Sequence, residues 1–383
     1  MSKDEYLITD APLKALTVFA MPMILGSFFQ QIYNMADSII VGQFVGSSAL
    51  AAVGACAALT NVFICVALGA GVGAGVLVSR YFGARDYSKM KTIVSTSLIS
   101  FLILSILLGV FGFGFSNIMM NALQTPADIL DEAVLYLRVY FVGFPFLFMY
   151  NILSTMFTSI GESRIPLVLL IFSSVLNIFL DILFIVPFHM GVAGAAWATI
   201  LSQFLSAVLS LVVGLKNFPI LHLHREDFTD LKDTAVLHLK TGFPMGFQMS
   251  VMCIGQLAMQ TVVNSLGTAA VAGYTAASKA DQLSVLVNNA MMTAISNYVA
   301  QNFGAGRWDR IRQGVRACLI QTEAFNLIMC IGILLLRHPI VRMFLSDPTK
   351  EIYHYSDMYL TIVAPFYFVL GLLAVYRTSI QSM

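Results

Sequence analysis

The chain has 383 residues, and 21 Lys and Arg against 20 Asp and Glu leave a formal net charge of +1. Charged residues make up 11% of the sequence and hydrophobic residues 58%, whereas soluble domains carry about 25% charged residues. So few charges exclude a soluble globular protein, and the near-neutral balance gives no support for a nucleic-acid partner. The composition predicts an all-α polytopic membrane protein.

Ten hydrophobic segments are each long enough to cross a bilayer as an α-helix. Short stretches with glycine, proline and charged residues separate them, such as GESRIP at 161–166 and PFHMGVAG at 187–194. The predicted spans cover residues 15–38, 50–78, 92–118, 133–158, 166–186, 193–215, 238–264, 274–300, 314–336 and 356–380.

The basic residues predict which side of the membrane each loop occupies. With the N-terminus inside, sixteen of the 21 Lys and Arg lie on the inner side. The outer side then holds Arg138, Lys279, Arg337, Arg342 and Lys350. Because cytoplasmic loops carry an excess of Lys and Arg, the sequence predicts a multi-pass protein of the cell membrane with a cytoplasmic N-terminus.

The two halves of the chain repeat one another at an offset of about 221 residues. VGSSALAAVGACAA at 45–58 matches LGTAAVAGYTAASK at 266–279, and YFGARDYSKMK at 81–91 matches NFGAGRWDRIR at 302–312. An even number of spans in each repeat predicts two bundles related by an axis along the membrane normal.

The repeat also predicts the domains. We expect an N-terminal six-helix lobe at 1–215, a cytoplasmic linker at 216–237 and a C-terminal lobe at 238–383. Spans five and six have no counterpart in the second half. We therefore expect two six-helix bundles in an intact protein, with the second bundle truncated and about ten of twelve helices present here.

Acids inside the spans are the strongest indication of function, because a charge costs about 2.5–3.5 kcal/mol at the centre of a bilayer. Asp37 lies in the outer half of span one, and Asp181 lies near the outer end of span five, one helical turn after Asn177. Tyr136 and Thr199 are expected at similar depth in spans four and six. Together these residues predict a hydrogen-bonded cluster whose carboxylates carry a proton or bind Na⁺ as hard ligands. The alternative is a set of unrelated polar residues, each satisfied by neighbouring backbone or water.

Other polar residues in the spans are candidates for the wall of a substrate cavity. Asp281 lies at the start of span eight, two residues after Lys279, and Glu323 lies in the middle of span nine. The structural alternatives are a Lys279 that snorkels to the membrane surface and a Glu323 that bonds Gln321 or Asn326. The amide candidates for the cavity wall are Gln30, Gln31, Gln256 and Asn289.

Three long motifs carry a resemblance to a known family. They are MPMILGSFFQQIYNMADSIIVGQFVGSSALAAVG at 21–54, RYFGARDYSKMK at 80–91 with its twin at 302–312, and TSIGESRIPLVLLIFSSVLNIFLDILFI at 158–185. With these motifs the chain resembles the multidrug and toxic compound extrusion (MATE) transporters over essentially its whole length. The resemblance implies twelve helices in two lobes around a central cavity, and exchange of H⁺ or Na⁺ for organic cations and other drugs.

Within the family, the N-terminal motifs resemble the DinF-like branch. There, acids in helices one and five and an Asn one turn before the second acid form the cation site. The matching positions in this sequence are Asp37, Asp181 and Asn177, and Tyr136 and Thr199 match the same network. NorM-like members also carry acids in the C-terminal lobe, and span seven has no acid here.

The resemblance and the residues together predict a cation-coupled multidrug efflux antiporter that works by alternating access as a monomer. We expect amphipathic, often cationic organic compounds as substrates, no cofactor, and H⁺ or Na⁺ as the coupling ion. A flippase for a lipid-linked precursor, from the related superfamily, is the alternative. A membrane-embedded enzyme would need a catalytic cluster or a soluble domain, and the sequence shows neither.

Overall fold

The computed structural model describes residues 5–383 apart from 124, 219–221, 223–226, 228–230 and 345–348. Within these residues all regular structure is helical, which confirms the predicted all-α class. The helices are α1 Tyr6–Thr9, α2 Pro12–Phe44, α3 Ser47–Gly83, α4 Tyr87–Ala122, α5 Leu130–Val142, α6 Phe144–Ser159, α7 Arg164–Ile185, α8 Gly191–Asn217, α9 Leu231–Ser265, α10 Thr268–Gly304, α11 Trp308–Phe344 and α12 Lys350–Gln381.

Each of the ten predicted spans has helical structure at its place, and the helices continue beyond the apolar segments. Span one, predicted at 15–38, is the 33-residue helix α2. Among the described residues, seven helices combine the length and the apolar composition needed to cross a membrane, and α5 with α6 form an eighth span as a bent pair. α9 and α10 are long enough, at 35 and 37 residues, but they are more polar.

Span four differs from the prediction because it consists of two helices. α5 and α6 meet at an angle of 50°, with Gly143 between them. Pro145 has no N–H to donate to the carbonyl of Phe141, so the helical hydrogen-bond ladder breaks at this point. A Cβ atom on Gly143 would lie 2.3 Å from Cγ1 of Ile200 on α8. The bend therefore lets α8 pack directly against the backbone of span four.

The internal repeat is visible in the backbone as well as in the sequence. α3 and α10 both have 37 residues, and each starts directly after a glycine, Gly46 (φ 123°, ψ 173°) or Gly267 (φ 97°, ψ 174°). That region of φ and ψ is accessible essentially to glycine alone. The turns after these helices also correspond, because Arg85 (φ 56°) and Gly306 (φ 69°) are both left-handed. Each pair is separated by about 221 positions.

One compact unit comprises Leu25–Ser250. Its core is aromatic, with Phe141, Phe144 and Phe148 fully buried. The rings of Phe141 and Phe144 pack edge to face with centroids 4.7 Å apart. This core joins α5 and α6 to α3 and α4.

Two glycine pairs bring α3 and α9 into direct backbone contact within this unit. A Cβ atom on Gly69 would lie 2.4 Å from Cα of Gly246, and one on Gly73 would lie 2.6 Å from Cα of Gly242. Both helices thus carry glycines four residues apart on the contacting face, the spacing that permits close helix packing in membranes.

The second compact unit comprises Met1–Ile24 and Val251–Met383. Its core includes the fully buried side chains of Leu7, Phe19, Tyr298 and Val375. α2 and α9 each contribute residues to both units. The predicted division at residues 215 and 238 remains a prediction, and most of residues 219–230 of the predicted linker lie outside the described residues.

Arg310 fixes the N-terminal segment within the second unit. Its guanidinium donates hydrogen bonds to the carbonyls of Leu7 (3.3 Å) and Asp10 (2.6 Å) and to Oδ1 of Asn302 (3.0 Å). The side chain is buried, at 8% exposure. The two carbonyls lie at the end of the short helix α1, where helical donors run out. Arg310 therefore supplies the donors that this helix end lacks.

Candidate functional site

Two acidic side chains from different helices meet inside the unit Leu25–Ser250. The carboxyl groups of Asp37 on α2 and Asp181 on α7 are neighbours and interact with each other. Asp181 is fully buried, and Asp37 is half-buried. Ionised carboxylates accept hydrogen bonds but do not donate them, so a proton or a cation between two neighbouring acids would relieve their mutual repulsion.

An amide and a hydroxyl extend the pair toward α8. Asn177 lies one turn before Asp181 on α7 and is buried at 1% exposure. Its Nδ2 donates to Oγ1 of Thr199 at 3.4 Å, and Thr199 donates in turn to the carbonyl of Ala195 at 3.0 Å. The structure thus brings together the predicted residues of spans one, five and six.

Two tyrosines of α5 lie next to this cluster. Tyr136 on α5 is buried at 9% exposure and neighbours Asp37. The ring of Tyr140 stacks on that of Tyr136 with centroids 6.0 Å apart. The sequence predicts Tyr136 in this cluster because of its expected depth in span four, and the structure places it beside Asp37.

Tyr33 is a member of the cluster that the sequence analysis missed. Its hydroxyl neighbours Asp37, Asp181 and the side chain of Thr199. Tyr33 precedes Asp37 by four residues, so both side chains project from one face of α2. The same spacing singled out Asn177 and Asp181, and applying it to span one would have identified Tyr33.

The predicted cavity-wall residues are divided between the two compact units. Gln30 and Gln31 belong to the unit Leu25–Ser250, whereas Gln256, Asp281 and Asn289 belong to the other unit. The side chains of Gln30, Gln256 and Asn289 are exposed and that of Gln31 is half-buried. Their amides make no hydrogen bond within the described part of the chain.

Asp281 has tyrosine partners on a neighbouring helix of the second unit, and Glu323 lies beside a residue of its own helix. Asp281 accepts a hydrogen bond from Tyr367 of α12 at 2.7 Å and a longer one from Tyr359 at 3.5 Å. Glu323 lies beside Asn326, its predicted neighbour. A Cβ atom on Gly371 would lie 2.5 Å from Oε1 of Glu323, so the glycine provides the room that the carboxylate occupies.

The cluster around Asp37 offers oxygen ligands and proton acceptors. Its members supply two carboxylates, an amide and several hydroxyls, which are the ligands that hard cations prefer. Such donors can hold a proton or a hard cation.

Comparisons with known proteins show which family the chain is similar to. The MatE family model matches the chain twice, at residues 22–183 and 244–383, and the two starting points differ by 222 residues, as the repeat predicts. The chain is 31% identical over 359 residues to the probable multidrug resistance protein YpnP of Bacillus subtilis, with 94% of this chain and 80% of that protein covered. It is 26% identical to the multidrug export protein MepA of Staphylococcus aureus, with 90% and 77% covered.

The fold matches that of solved transporters. A multidrug resistance MATE family transporter in an outward-facing conformation superposes with a TM-score of 0.91 at 23% identity, covering all of this chain and 85% of that one. The two family matches together span most of the sequence. The chain therefore belongs to the MatE family of multidrug and toxic compound extrusion transporters.

Proposed function

We propose that the chain exports amphipathic, often cationic organic compounds in exchange for H⁺ or Na⁺. The observation that carries this proposal is the interaction between Asp37 and Asp181 inside the helical unit Leu25–Ser250. Acids at membrane depth are costly and mark ion pathways. The names of the relatives YpnP and MepA, a probable multidrug resistance protein and a multidrug export protein, support small organic molecules as substrates.

Each member of the cluster has a distinct role in this proposal. Asp37 and Asp181 hold the coupling ion between their carboxyl groups. Asn177 and Thr199 orient Asp181 and supply neutral oxygens, which a Na⁺ ion would use as ligands. Tyr33 and Tyr136 restrict water access and hold Asp37 in place. This is the cation site of the DinF-like branch, to which we assign the chain.

Coupling requires that the ion bind more tightly to one conformation than to the other. α2 carries Asp37 and contains Pro22, a residue at which helices bend readily. In our proposal, loading the carboxylates changes the bend of α2 and releases the substrate on the opposite side, so that the site opens alternately to each side. The polar candidates for contact with the substrate are Gln30 and Gln31 in one unit, and Gln256, Asp281 and Asn289 in the other.

Proteoliposomes distinguish the two ions. The purified chain is reconstituted, and uptake of ethidium, a cationic amphipathic dye, is followed with a pH gradient or a Na⁺ gradient imposed separately. We expect one gradient to drive transport in the wild type and neither to drive it in Asp181→Asn. Uptake that persists unchanged in Asp181→Asn under either gradient would show that the pair does not couple transport.

The orientation is tested independently. We propose a cytoplasmic N-terminus and a monomer in the cell membrane. Single cysteines introduced at the exposed positions Ser88 and Glu351 of a cysteine-free chain should label from the inner and outer side respectively, because these residues lie near opposite ends of their spans in the predicted topology. The reverse labelling pattern would overturn the orientation.

A further inference from the structure

A groove between α10 and α11 lies apart from the acidic cluster. It encloses about 290 Å³ and is lined by apolar side chains, among them Leu283 on α10 and Met329, Ile333 and Leu336 on α11. Lys279 is the charged residue of its lining. A cavity of this size is close to the lower limit of ligand pockets.

The charge of Lys279 is not balanced by the residues around it. Within the described chain, Lys279 has neither a hydrogen bond nor an ion pair, and its side chain is exposed. Asp281, two residues later, is engaged by Tyr367. Arg337 and His338 at the same end of α11 are both paired with Asp357. Lys279 is therefore left as a cation at the mouth of an apolar groove.

The depth of Lys279 is the level of lipid headgroups. Residues 282–304 of α10 contain no Asp, Glu, Lys or Arg, and these 23 residues extend about 35 Å at 1.5 Å per residue. That length covers the hydrocarbon core of about 30 Å. Lys279 thus lies about one turn outside this uncharged segment, and the groove continues from it toward the membrane interior.

We propose that this groove binds an anionic phospholipid. The phosphate group would pair with Lys279, and one acyl chain would occupy the apolar groove between α10 and α11. The geometry favours a lipid over a fully apolar molecule because Lys279, an exposed cation, borders the apolar groove with the carbon atoms of its side chain. It favours a lipid over a soluble anion because the lining beyond Lys279 is entirely apolar.

Gly332 allows the binding of the acyl chain to be tested separately from the charge of Lys279. A Cβ atom at Gly332 would meet nothing within 4 Å, so a larger side chain can enter the groove without a backbone clash. Gly332→Leu fills the cavity, and Lys279→Gln removes the charge. Gly255→Leu is the matched control for the first, since Gly255 also has open space around it. Lys350→Gln, at another exposed lysine, is the control for the second.

The experiment is native mass spectrometry of the purified chain with palmitoyl-oleoyl phosphatidylglycerol or phosphatidylcholine. We expect the wild type to retain phosphatidylglycerol in preference to phosphatidylcholine. In Lys279→Gln this preference should fall about fivefold, the factor typical of one basic residue near anionic lipid. Gly332→Leu should lower retention of both lipids, and Lys279→Arg and both controls should behave as the wild type.

Unchanged retention in Lys279→Gln, or in Gly332→Leu while the chain remains folded, would overturn the proposal. Because Gly332→Leu can disturb packing, Gly332→Ala is measured alongside it and should give an intermediate loss. Displacement of the phospholipid by an equimolar amount of decanoate would assign the groove to a free fatty acid and reject the phospholipid.

Discussion

The carboxyl group of Asp37 on α2 neighbours that of Asp181 on α7, and the two acids interact. Each acid follows a neutral polar residue by four positions, Tyr33 before Asp37 and Asn177 before Asp181. Both helices therefore present two polar groups on one face. The acidic pair is thus held by neighbours on its own helices and by Thr199 of α8.

Tyr33→Phe tests whether the tyrosine supports the acidic pair. The substitution keeps the ring and removes the hydroxyl beside Asp37 and Thr199. Loss of one buried hydrogen bond costs about 1 kcal/mol, so the apparent affinity for the coupling ion should fall about fivefold. Ion titration of dye transport in proteoliposomes measures this. Tyr376→Phe, at a tyrosine that is 50% exposed, should leave the ion affinity unchanged.

Gly69→Ala tests the close packing of α3 against α9. The added methyl would lie 2.4 Å from Cα of Gly246, so the two helices must separate. We expect a loss of about 1–3 kcal/mol of stability, as for other overpacked cores, measured by thermal unfolding in detergent. Gly54→Ala on the same helix has open space around it and should not destabilise. Equal melting temperatures for the two variants would refute the backbone contact.

Gly267→Ala tests the turn between α9 and α10. At φ 97° and ψ 174°, a residue with a Cβ atom is strained by about 1–3 kcal/mol. Gly46→Ala should cost a similar amount, because Gly46 has the corresponding conformation in the first repeat. Chemical or thermal unfolding gives the size of each effect. Gly255→Ala, inside a helix, is the control and should be neutral or slightly stabilising.

Arg310→Gln tests the attachment of the N-terminal segment. The charged donor is lost from the carbonyls of Leu7 and Asp10, and we expect a cost of about 2 kcal/mol. Trypsin should then cut faster at Lys14, which is exposed next to this segment. Arg312→Gln, at an exposed arginine two residues further along α11, should not change the cleavage rate. Cleavage at the wild-type rate in Arg310→Gln would count against the attachment.

Several features of the fold follow from the sequence because the membrane restricts the possible structures. An apolar segment must be helical there to satisfy its backbone, and the structure has helical residues at all ten predicted places. The repeat was predicted because glycines such as Gly46 and Gly267 are needed wherever the turn conformation recurs. Asp37 and Asp181 were recognised because charges at membrane depth are rare.

Other features depend on packing that the sequence does not show. The bend in span four requires both Pro145 and the close approach of Ile200 on α8, and the helix order that brings α8 there is a tertiary property. Arg310 was assigned to the inner surface by its charge, whereas its role depends on the carbonyls of an N-terminal helix about 300 residues away in the sequence. The burial of Arg310 results from the contact between α11 and the N-terminal segment, which the sequence alone does not show.

The central claim is that Asp37 and Asp181 exchange a cation to drive export. The most direct measurement is accumulation of ethidium in a host that lacks its own efflux pumps and expresses Asp37→Asn, with the amount of protein in the membrane quantified in parallel. We predict accumulation equal to that of cells without the transporter, normal membrane levels, and wild-type efflux for Asp131→Asn at an exposed acid. Wild-type efflux by Asp37→Asn would contradict the account.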